Sequence, residues 1–188
     1  AWGFPSGVPP AVRCGAMALP KPWIHEEIEL LQDCRVFRVA RARARSPHGG
    51  EGHTFYRIDA DDWVNVVPVT PEDEIVMVRQ YRHGAREVTL EIPGGIVDPG
   101  ETPAEAAARE LLEETGYRGT DPETLGSVNP NPAVFGNRCH SFVIRDAARV
   151  AAIQNSATEE TAVELVPVGA LARLLTEGAI DHALVVAA

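Results

Sequence analysis

The sequence is poor in cysteine and has no excess of basic residues, and each of these absences excludes some classes of function. The three cysteines, Cys14, Cys34 and Cys139, are scattered and odd in number. They give neither the paired spacing of a zinc site nor a disulfide framework, so we expect a reducing compartment, the cytoplasm. The formal net charge is −10. General nucleic-acid binders present a basic surface, so no nucleic-acid partner is expected.

Long apolar runs are also missing. No run approaches the roughly 20 residues of a membrane-spanning helix, and the first residues lack the basic start and apolar stretch of a signal peptide. We therefore expect no membrane partner. The 188 residues, 45% hydrophobic and 23% charged, suffice for one compact domain. Residues 1–16 are rich in Gly and Pro and predict a flexible extension, which assigns the domain to residues 17–188.

Short strand-like segments surround one strong helix pattern. The segments predicted to form strands are 23–45, 53–60, 62–69, 74–81, 87–92, 125–128, 140–144 and 165–168. Two short helices are predicted near the C-terminus, in 168–176 and 179–188. Many strands without regular β–α–β alternation predict an α+β domain.

Alanine alternates with arginine from Ala40 to Arg45. This period of two predicts a strand with one buried face, although Phe37 and Val39 fall in the arginine positions and blur the period. Trp23, Phe37 and Tyr56 are predicted core residues. Stacking on a base and packing between subunits are the alternatives for these three aromatic side chains.

The strongest local signal is a helix between Thr102 and Gly116. Thr102 can cap the first turn, Pro103 suits the first helical position, and Glu105 completes a capping box. Gly116 is a natural end for the helix.

This helix carries three carboxylates on one side. Glu110, Glu113 and Glu114 fall within an arc of about 100°. The positions predicted to face the core are Ala104, Ala108, Leu111, Leu112 and Thr115. Carboxylates one turn apart repel, and Arg109, which lies beside Glu113, neutralises only one of them. The cluster therefore suits a hard divalent cation such as Mg²⁺, and a solvated acidic face is the alternative.

The residues around the helix resemble the Nudix box, the signature of the Nudix hydrolases. The pattern G-x5-E-x7-R-E-U-x-E-E-x-G-U, in which U is apolar, is matched by Gly95, Glu101, Arg109, Glu110, Leu111, Glu113, Glu114 and Gly116. Tyr117 stands where an aliphatic residue is usual, but it is large and mostly apolar. The resemblance implies a Nudix-type α/β/α sandwich with a mixed β-sheet.

The same resemblance implies a metal-dependent hydrolase of nucleoside diphosphates linked to another moiety. The implied metal ligands are Glu110, Glu113, Glu114 and the backbone carbonyl of Gly94. Gly95, Glu101 and Arg109 are the implied supporting residues. The cofactor is expected to be Mg²⁺, with Mn²⁺ as the alternative.

Two further segments resemble the ADP-ribose pyrophosphatase branch of this family. In RQYRHG, followed by LEIPGG, Arg79 is the first candidate to contact the diphosphate or terminal ribose and Arg82 the second. Glu91 is expected either to assist the metal through water or to form a salt bridge with a nearby arginine. Pro132, 15 residues after Tyr117, resembles a marker of ADP-ribose hydrolases. A rigid loop is the other interpretation of this proline.

The polar segment 154–161 resembles the loop that supplies the general base in this branch. Glu159 is the first candidate and Glu160 the second. Glu113 and Glu114, within the box itself, are the alternatives.

The resemblance to this branch implies hydrolysis of ADP-ribose to AMP and ribose 5-phosphate. GDP-mannose and other nucleotide sugars are rival substrates. A non-catalytic domain that senses a nucleotide is a different class of function, disfavoured because Glu101, Arg109 and the three helix carboxylates are all present. The branch resemblance also implies a homodimer in which strands of residues 17–60 help to build the partner's site.

Overall fold

The computed structural model describes residues 19–156 and 158–188, so the predicted extension in residues 1–16 lies outside the described residues. The strands are β1 (Ile24–Asp33), β2 (Phe37–Arg45), β3 (Gly52–Ala60), β4 (Trp63–Pro68), β5 (Glu74–Arg82), β6 (Glu87–Glu91), β7 (Gly94–Ile96), β8 (Tyr117–Arg118), β9 (Glu123–Val128), β10 (Cys139–Ile144), β11 (Ala148–Arg149) and β12 (Thr161–Pro167). The helices are α1 (Pro103–Thr115), α2 (Leu171–Thr176) and α3 (Ala183–Val186), with a 3₁₀ turn over Val168–Ala170.

Two sheets form the centre of the molecule. One has the order β7-β4-β10-β9, in which β4 and β10 run parallel, and the other has the antiparallel order β12-β5-β6. Side chains of β4 alternate between two apolar layers: Val64 and Val66 pack with α1, whereas Val67 packs with α2 and α3. Sheet therefore lies between helices, and the predicted α+β class with a Nudix-type α/β/α sandwich is confirmed.

Helix α1 has the predicted ends. The Thr102 hydroxyl accepts a hydrogen bond from the Glu105 amide at 3.3 Å, and the Glu105 carboxylate accepts one from the Thr102 amide at 2.8 Å. Gly116 closes the helix in the left-handed region, with φ of 74°.

The buried stripe of α1 differs from the predicted one. Ala108 is exposed, and Ala104 and Leu112 are only half-buried. The buried positions are Ala106, Ala107, Leu111, Glu114 and Thr115. The stripe is rotated because β4 and β7 both cover the helix, and this rotation brings one of the carboxylates into the interior.

Strands β1, β2 and β3 form a separate antiparallel sheet whose two faces have different chemistry. Ala40, Ala42 and Ala44 are buried and the intervening arginines are exposed, so the predicted alternation is confirmed. The core prediction for Trp23, Phe37 and Tyr56 is wrong, since their exposed fractions are 42%, 37% and 61%. The physical reason is that strand register places Phe37 and Tyr56 on the solvated arginine face of this sheet, while Trp23 precedes the first strand.

Three short strands have no sequence signal, namely β7, β8 and β11. Strand β7 contains two glycines, which have low strand propensity, and it exists because β4 pairs with it. The C-terminal helices are shorter than predicted. Within the described residues, none of the helices combines the length and apolar character needed to cross a bilayer.

Candidate active site

The segment from Pro93 to Ile96 brings the backbone directly against α1. A Cβ on Gly95 would lie 2.1 Å from Glu110 Oε1, and a Cβ on Gly94 would lie 2.3 Å from the Val64 carbonyl oxygen. Both distances are far below a normal contact, so glycine is required at both positions. The sequence Gly94-Gly95 thus allows a carboxylate of the helix to touch the loop.

Glu114 lies deepest of the three helix carboxylates, with 5% of the residue exposed. Its Oε2 accepts a hydrogen bond from the Gly94 amide at 3.0 Å. Burial raises the pKa of Glu114 to about 8, and the negative charges of Glu110 and Glu159 add to the increase despite the Gly94 hydrogen bond. A positive ion bound beside Glu114 would offset both the cost of burying its charge and the repulsion from Glu110 and Glu159.

Arg109 binds the other two helix carboxylates. Its Nη1 donates to Glu110 Oε1 at 2.8 Å and to Glu113 Oε2 at 3.2 Å, rather than to Glu113 alone as predicted. Its Nε and Nη2 form a two-pronged pair with Glu101 at 3.0 and 2.9 Å, and Nη2 also donates to the Ile96 carbonyl. The hydrogen bonds that Arg109 donates to Glu101 raise the pKa of Arg109 despite its partial burial. Glu101 and Arg109 therefore hold Glu110 beside the glycine loop.

The carboxylate oxygens of Glu110, Glu113 and Glu114 suit a hard divalent cation. The three carboxylates do not, however, converge on one point. Residues 19–156 and 158–188 contain no group of three or more His, Cys, Asp or Glu side chains positioned to hold a metal ion together. Glu113 is 45% exposed and turned toward Arg109. The solvated-face alternative is nevertheless wrong for Glu110 and Glu114, because the Glu110 side chain is 14% exposed and Glu114 is 5% exposed. This burial raises the pKa of both carboxylates. Oxygen donors with excess negative charge are what Mg²⁺ prefers.

Arg82, at the end of β5, lies on the same side as this cluster. Its Nε and Nη2 donate to the two oxygens of Glu91, both at 2.8 Å, so Glu91 forms the predicted salt bridge. These bonds raise the pKa of Arg82 against partial burial, and the charges of Glu114 and Glu159 add to the effect. Arg79 instead pairs with Glu164 at 2.6 Å and is half-exposed.

The polar segment after β11 is fastened to the C-terminal end of α1. The Gln154 amide donates to the Glu113 carbonyl at 2.8 Å, and the Thr161 hydroxyl donates to the Glu114 carbonyl at 2.7 Å. Between these anchors Glu159 is exposed and accepts from the Ser156 hydroxyl at 2.9 Å. Glu159 and Glu160 line a cavity of about 410 Å³ together with Gln80, Tyr81, His83 and Thr158.

Pro132 is exposed in a loop stabilised by asparagine side chains. Asn129 Oδ1 accepts from the Asn131 amide at 3.0 Å, and Asn131 Oδ1 accepts from the Ala133 amide at 3.2 Å. The loop is tied to β3, since the Ile58 amide donates to the Val134 carbonyl at 2.9 Å. The rigid-loop interpretation of Pro132 therefore has direct structural support.

Two polar residues near the glycine loop were missed by the sequence interpretation. His182 Nδ1 lies 2.7 Å from Glu91 Oε2, and Asn65 Nδ2 donates to the Leu184 carbonyl at 2.8 Å. Both contacts join residues more than 90 positions apart, 91 and 119 respectively. No local pattern in the sequence predicts such a pairing.

The model of the NUDIX domain family matches residues 61–188. The chain belongs to the NUDIX family. This Nudix domain superposes on the crystal structure of an ADP compounds hydrolase with a TM-score of 0.80 at 23% identity, covering 91% of this chain and 92% of that chain. The match establishes the fold.

Two curated relatives differ in how much of the Nudix chain they share. The ADP-ribose pyrophosphatase of Bacillus subtilis is 35% identical over 83 residues, 44% of this chain and 45% of its own length. The CMP-5'-(N-acetyl-N-hydroxy-3-aminopropyl)phosphonate hydrolase of Streptomyces rubellomurinus is 29% identical over 156 residues, 83% of this chain and 75% of its own. The chain spans about half the length of several curated relatives that it matches.

Proposed function

We propose that this Nudix protein hydrolyses the pyrophosphate bond of ADP-ribose, releasing AMP and ribose 5-phosphate. The observation that supports this most is the buried carboxylate of Glu114, which accepts a hydrogen bond from the Gly94 amide. Its burial beside other carboxylates raises the pKa of Glu114 to about 8. A carboxylate buried among other carboxylates is costly for folding alone and is suited to a cation that carries substrate.

The residues that would hold the metal are Glu110, Glu113, Glu114 and the carbonyl of Gly94. Bound Mg²⁺ or Mn²⁺ would neutralise charge on the two phosphates and lower the pKa of a water. Arg109 keeps Glu110 against the loop, and Glu101 keeps Arg109 in place. Gly95 leaves room for the Glu110 carboxylate.

Glu159 is the proposed general base, with Glu160 as the second candidate. Support comes from its exposed position on a loop anchored to α1, and from its charge, which adds to the raised pKa of both Glu110 and Glu114. Glu114 suits this role less, because it is buried and already bound to the Gly94 amide. Glu113 is paired with Arg109.

Arg82 is proposed to bind the diphosphate, with Arg79 in second place, which reverses their order from the sequence alone. Arg82 adjoins the carboxylate cluster, whereas Arg79 is paired with Glu164. A guanidinium can donate two parallel hydrogen bonds to phosphate oxygens. Glu91 then acts by holding Arg82, and Pro132 acts by stiffening its loop near β3.

ADP-ribose is preferred as substrate on two grounds: the RQYR and Pro132 features, and the named activity of the Bacillus subtilis relative. The Streptomyces relative, named for a CMP conjugate, makes such conjugates the second candidate beside GDP-mannose and other nucleotide sugars.

A substrate panel tests this proposal. Purified protein with Mg²⁺ is incubated with ADP-ribose, GDP-mannose, a UDP-sugar and a CMP-linked conjugate, and nucleoside monophosphate release is followed by chromatography. We expect the highest kcat/KM for ADP-ribose and loss of turnover with excess chelator. Faster turnover of another compound would overturn the ranking. Binding of ADP-ribose without turnover of any compound would instead support a nucleotide sensor.

We further propose a cytoplasmic homodimer. Cys34 and Cys139 are free thiols, as expected in a reducing compartment. The β1-β2-β3 sheet exposes apolar side chains, including Ile28, Leu30 and Phe55, on one face. A second copy of the chain is the proposed occupant of this face.

A further inference from the structure

Glu91 is a buried carboxylate that accepts four hydrogen bonds. Its exposed fraction is 2%. Oε1 accepts from Arg82 Nε at 2.8 Å and from the Thr89 hydroxyl at 2.6 Å, and Oε2 accepts from Arg82 Nη2 at 2.8 Å. His182 Nδ1 completes the set at 2.7 Å from Oε2. Because an ionised carboxylate can only accept, His182 must donate from Nδ1.

The carboxylate of Glu91 is ionised in the folded protein. Burial by itself raises the pKa of Glu91, but the hydrogen bonds from Arg82, His182 and Thr89 outweigh burial and hold the pKa well below its usual range. Removal of one donor would leave part of a buried charge without a partner, which is costly and favours rearrangement of the remaining donors.

His182 sits on a segment that is itself well fixed. Two residues earlier, Ile180 is buried in an apolar cluster with Met77 and Leu90. Two residues later, the Leu184 carbonyl accepts from the side chain of the buried Asn65 at 2.8 Å. The imidazole is therefore presented to Glu91 by a backbone anchored on both sides.

Arg82 has donors left for a ligand. Its Nε and Nη2 are bound to Glu91, and the described part of the chain offers no hydrogen-bond partner to its Nη1. About a third of its side chain is exposed, at 31%. It borders a cavity of about 430 Å³, whose other lining residues include His83, Thr89, Glu91, Asp181 and His182.

We propose that His182 is a positioning residue for Arg82: it fixes the Glu91 carboxylate, which in turn fixes the guanidinium that binds the diphosphate. This inference rests on the proposed function and assigns to the C-terminal segment a part in the same reaction. A guanidinium held by two parallel bonds to a fixed carboxylate keeps its free edge aimed in one direction.

Three substitutions at one position test the proposal. His182→Asn places an amide N–H close to where Nδ1 lies, His182→Gln places one near Nε2 instead, and His182→Ala removes the donor. We expect His182→Ala and His182→Gln to lower kcat/KM for ADP-ribose about tenfold, and His182→Asn to stay within about twofold of wild type. His48→Ala, in the exposed turn after β2, controls for loss of an imidazole.

A merely structural role would give a different pattern. Thermal unfolding would then follow the loss of packing, and kcat/KM measured well below the unfolding temperature would not distinguish Asn from Gln. A double-mutant cycle adds a second criterion. In an Arg82→Ala background, His182→Ala should lower kcat/KM by less than about twofold, because the guanidinium that His182 positions is no longer present. A full further tenfold loss would overturn the proposal.

Failure of the proposed function would be recognised separately. Affinity for α,β-methylene-ADP in the presence of Mg²⁺, measured by calorimetry, reports on diphosphate binding without turnover. If wild type turned over none of the panel but bound this probe, weaker binding by His182→Ala with rescue by His182→Asn would still support the role of His182. Equal binding by all variants, or no binding by wild type, would overturn it.

Discussion

At the scale of single residues, Glu114 is a carboxylate in a position that is unfavourable for stability. A carboxylate with 5% exposure and two acidic neighbours is held there by one backbone amide. Sites that bind charged ligands commonly sacrifice stability in this way. The same residue therefore allows function and stability to be tested with one substitution.

Glu114→Gln should abolish turnover by orders of magnitude and should stabilise the metal-free fold at alkaline pH. The pKa of Glu114 in the folded protein is about 8, above its ordinary value of 4.5, so the proton bound by the folded state stabilises it at low pH. That stabilisation is lost as pH rises from about 5 to 8, and a glutamine does not titrate. With chelator present, we expect the variant to exceed wild type by about 2 kcal/mol at pH 8 and by less at pH 5.

Thermal unfolding across this pH range, with and without Mg²⁺, measures the effect. Added Mg²⁺ should stabilise wild type more than the variant, because the cation replaces the proton. Glu72→Gln, which removes an exposed carboxylate in the turn before β5, is the matched control and should leave the pH dependence unchanged. Parallel pH curves for wild type and Glu114→Gln would contradict the buried position of this carboxylate.

At the scale of elements, α1 was predictable because its signals are local. The cap at Thr102, the capping box with Glu105 and the end at Gly116 each follow from residues within four positions of one another. Strand β7 was not predictable, since two glycines favour no strand and its pairing partner lies about 30 residues earlier. The buried stripe of α1 is rotated by contact with that same strand, so a helical wheel of the sequence does not predict the rotation.

The spacing of the family motif predicts the metal ligands and their supporting arginine, and these roles stay predictions. What the motif does not contain is the partner of each side chain. Arg82 and Arg79 share one strand but point to opposite faces of it, and each meets a different carboxylate, Glu91 or Glu164. That difference is set by strand register, which depends on contacts distant in sequence.

Gly95→Ala tests the contact between β7 and α1. The added Cβ would lie 2.1 Å from Glu110 Oε1, so the carboxylate must leave the loop or the strand must shift. We expect kcat to fall at least about 100-fold, since misplacement by about 1 Å has that cost. Gly169→Ala, whose Cβ would meet nothing within 4 Å, is the control and should keep wild-type kcat. Comparable kcat in both variants would show that the close approach has no role in turnover.

At the scale of the whole molecule, contacts within a single chain do not explain the role of the N-terminal sheet, β1-β2-β3. One face pairs Arg41 with Glu29 and Arg45 with Glu26, a solvated arrangement of opposite charges. On the other face the buried alanines of β2 are flanked by Ile28 and Leu30 of β1.

On that second face, exposed apolar side chains of β1 and β3 lie beside His25, His53 and Arg57. The outer side chains Ile28, Leu30 and Phe55 are 52%, 57% and 44% exposed, and Trp23 stacks edge-on against Phe55 with ring centroids 5.2 Å apart. Exposed apolar surface gathered on one sheet face is typical of a subunit interface.

Ile28→Glu should therefore convert the proposed dimer into a monomer, because a charge buried in an apolar interface has no partner. Light scattering coupled to size exclusion should give twice the mass of one chain for wild type and a single chain mass for the variant. Thr54→Glu, on the charged face of the same sheet, should remain dimeric. If the partner's strands help to build the site, kcat/KM should fall in the monomer and recover as protein concentration rises. A wild-type protein that is monomeric at micromolar concentration would contradict the proposed dimer.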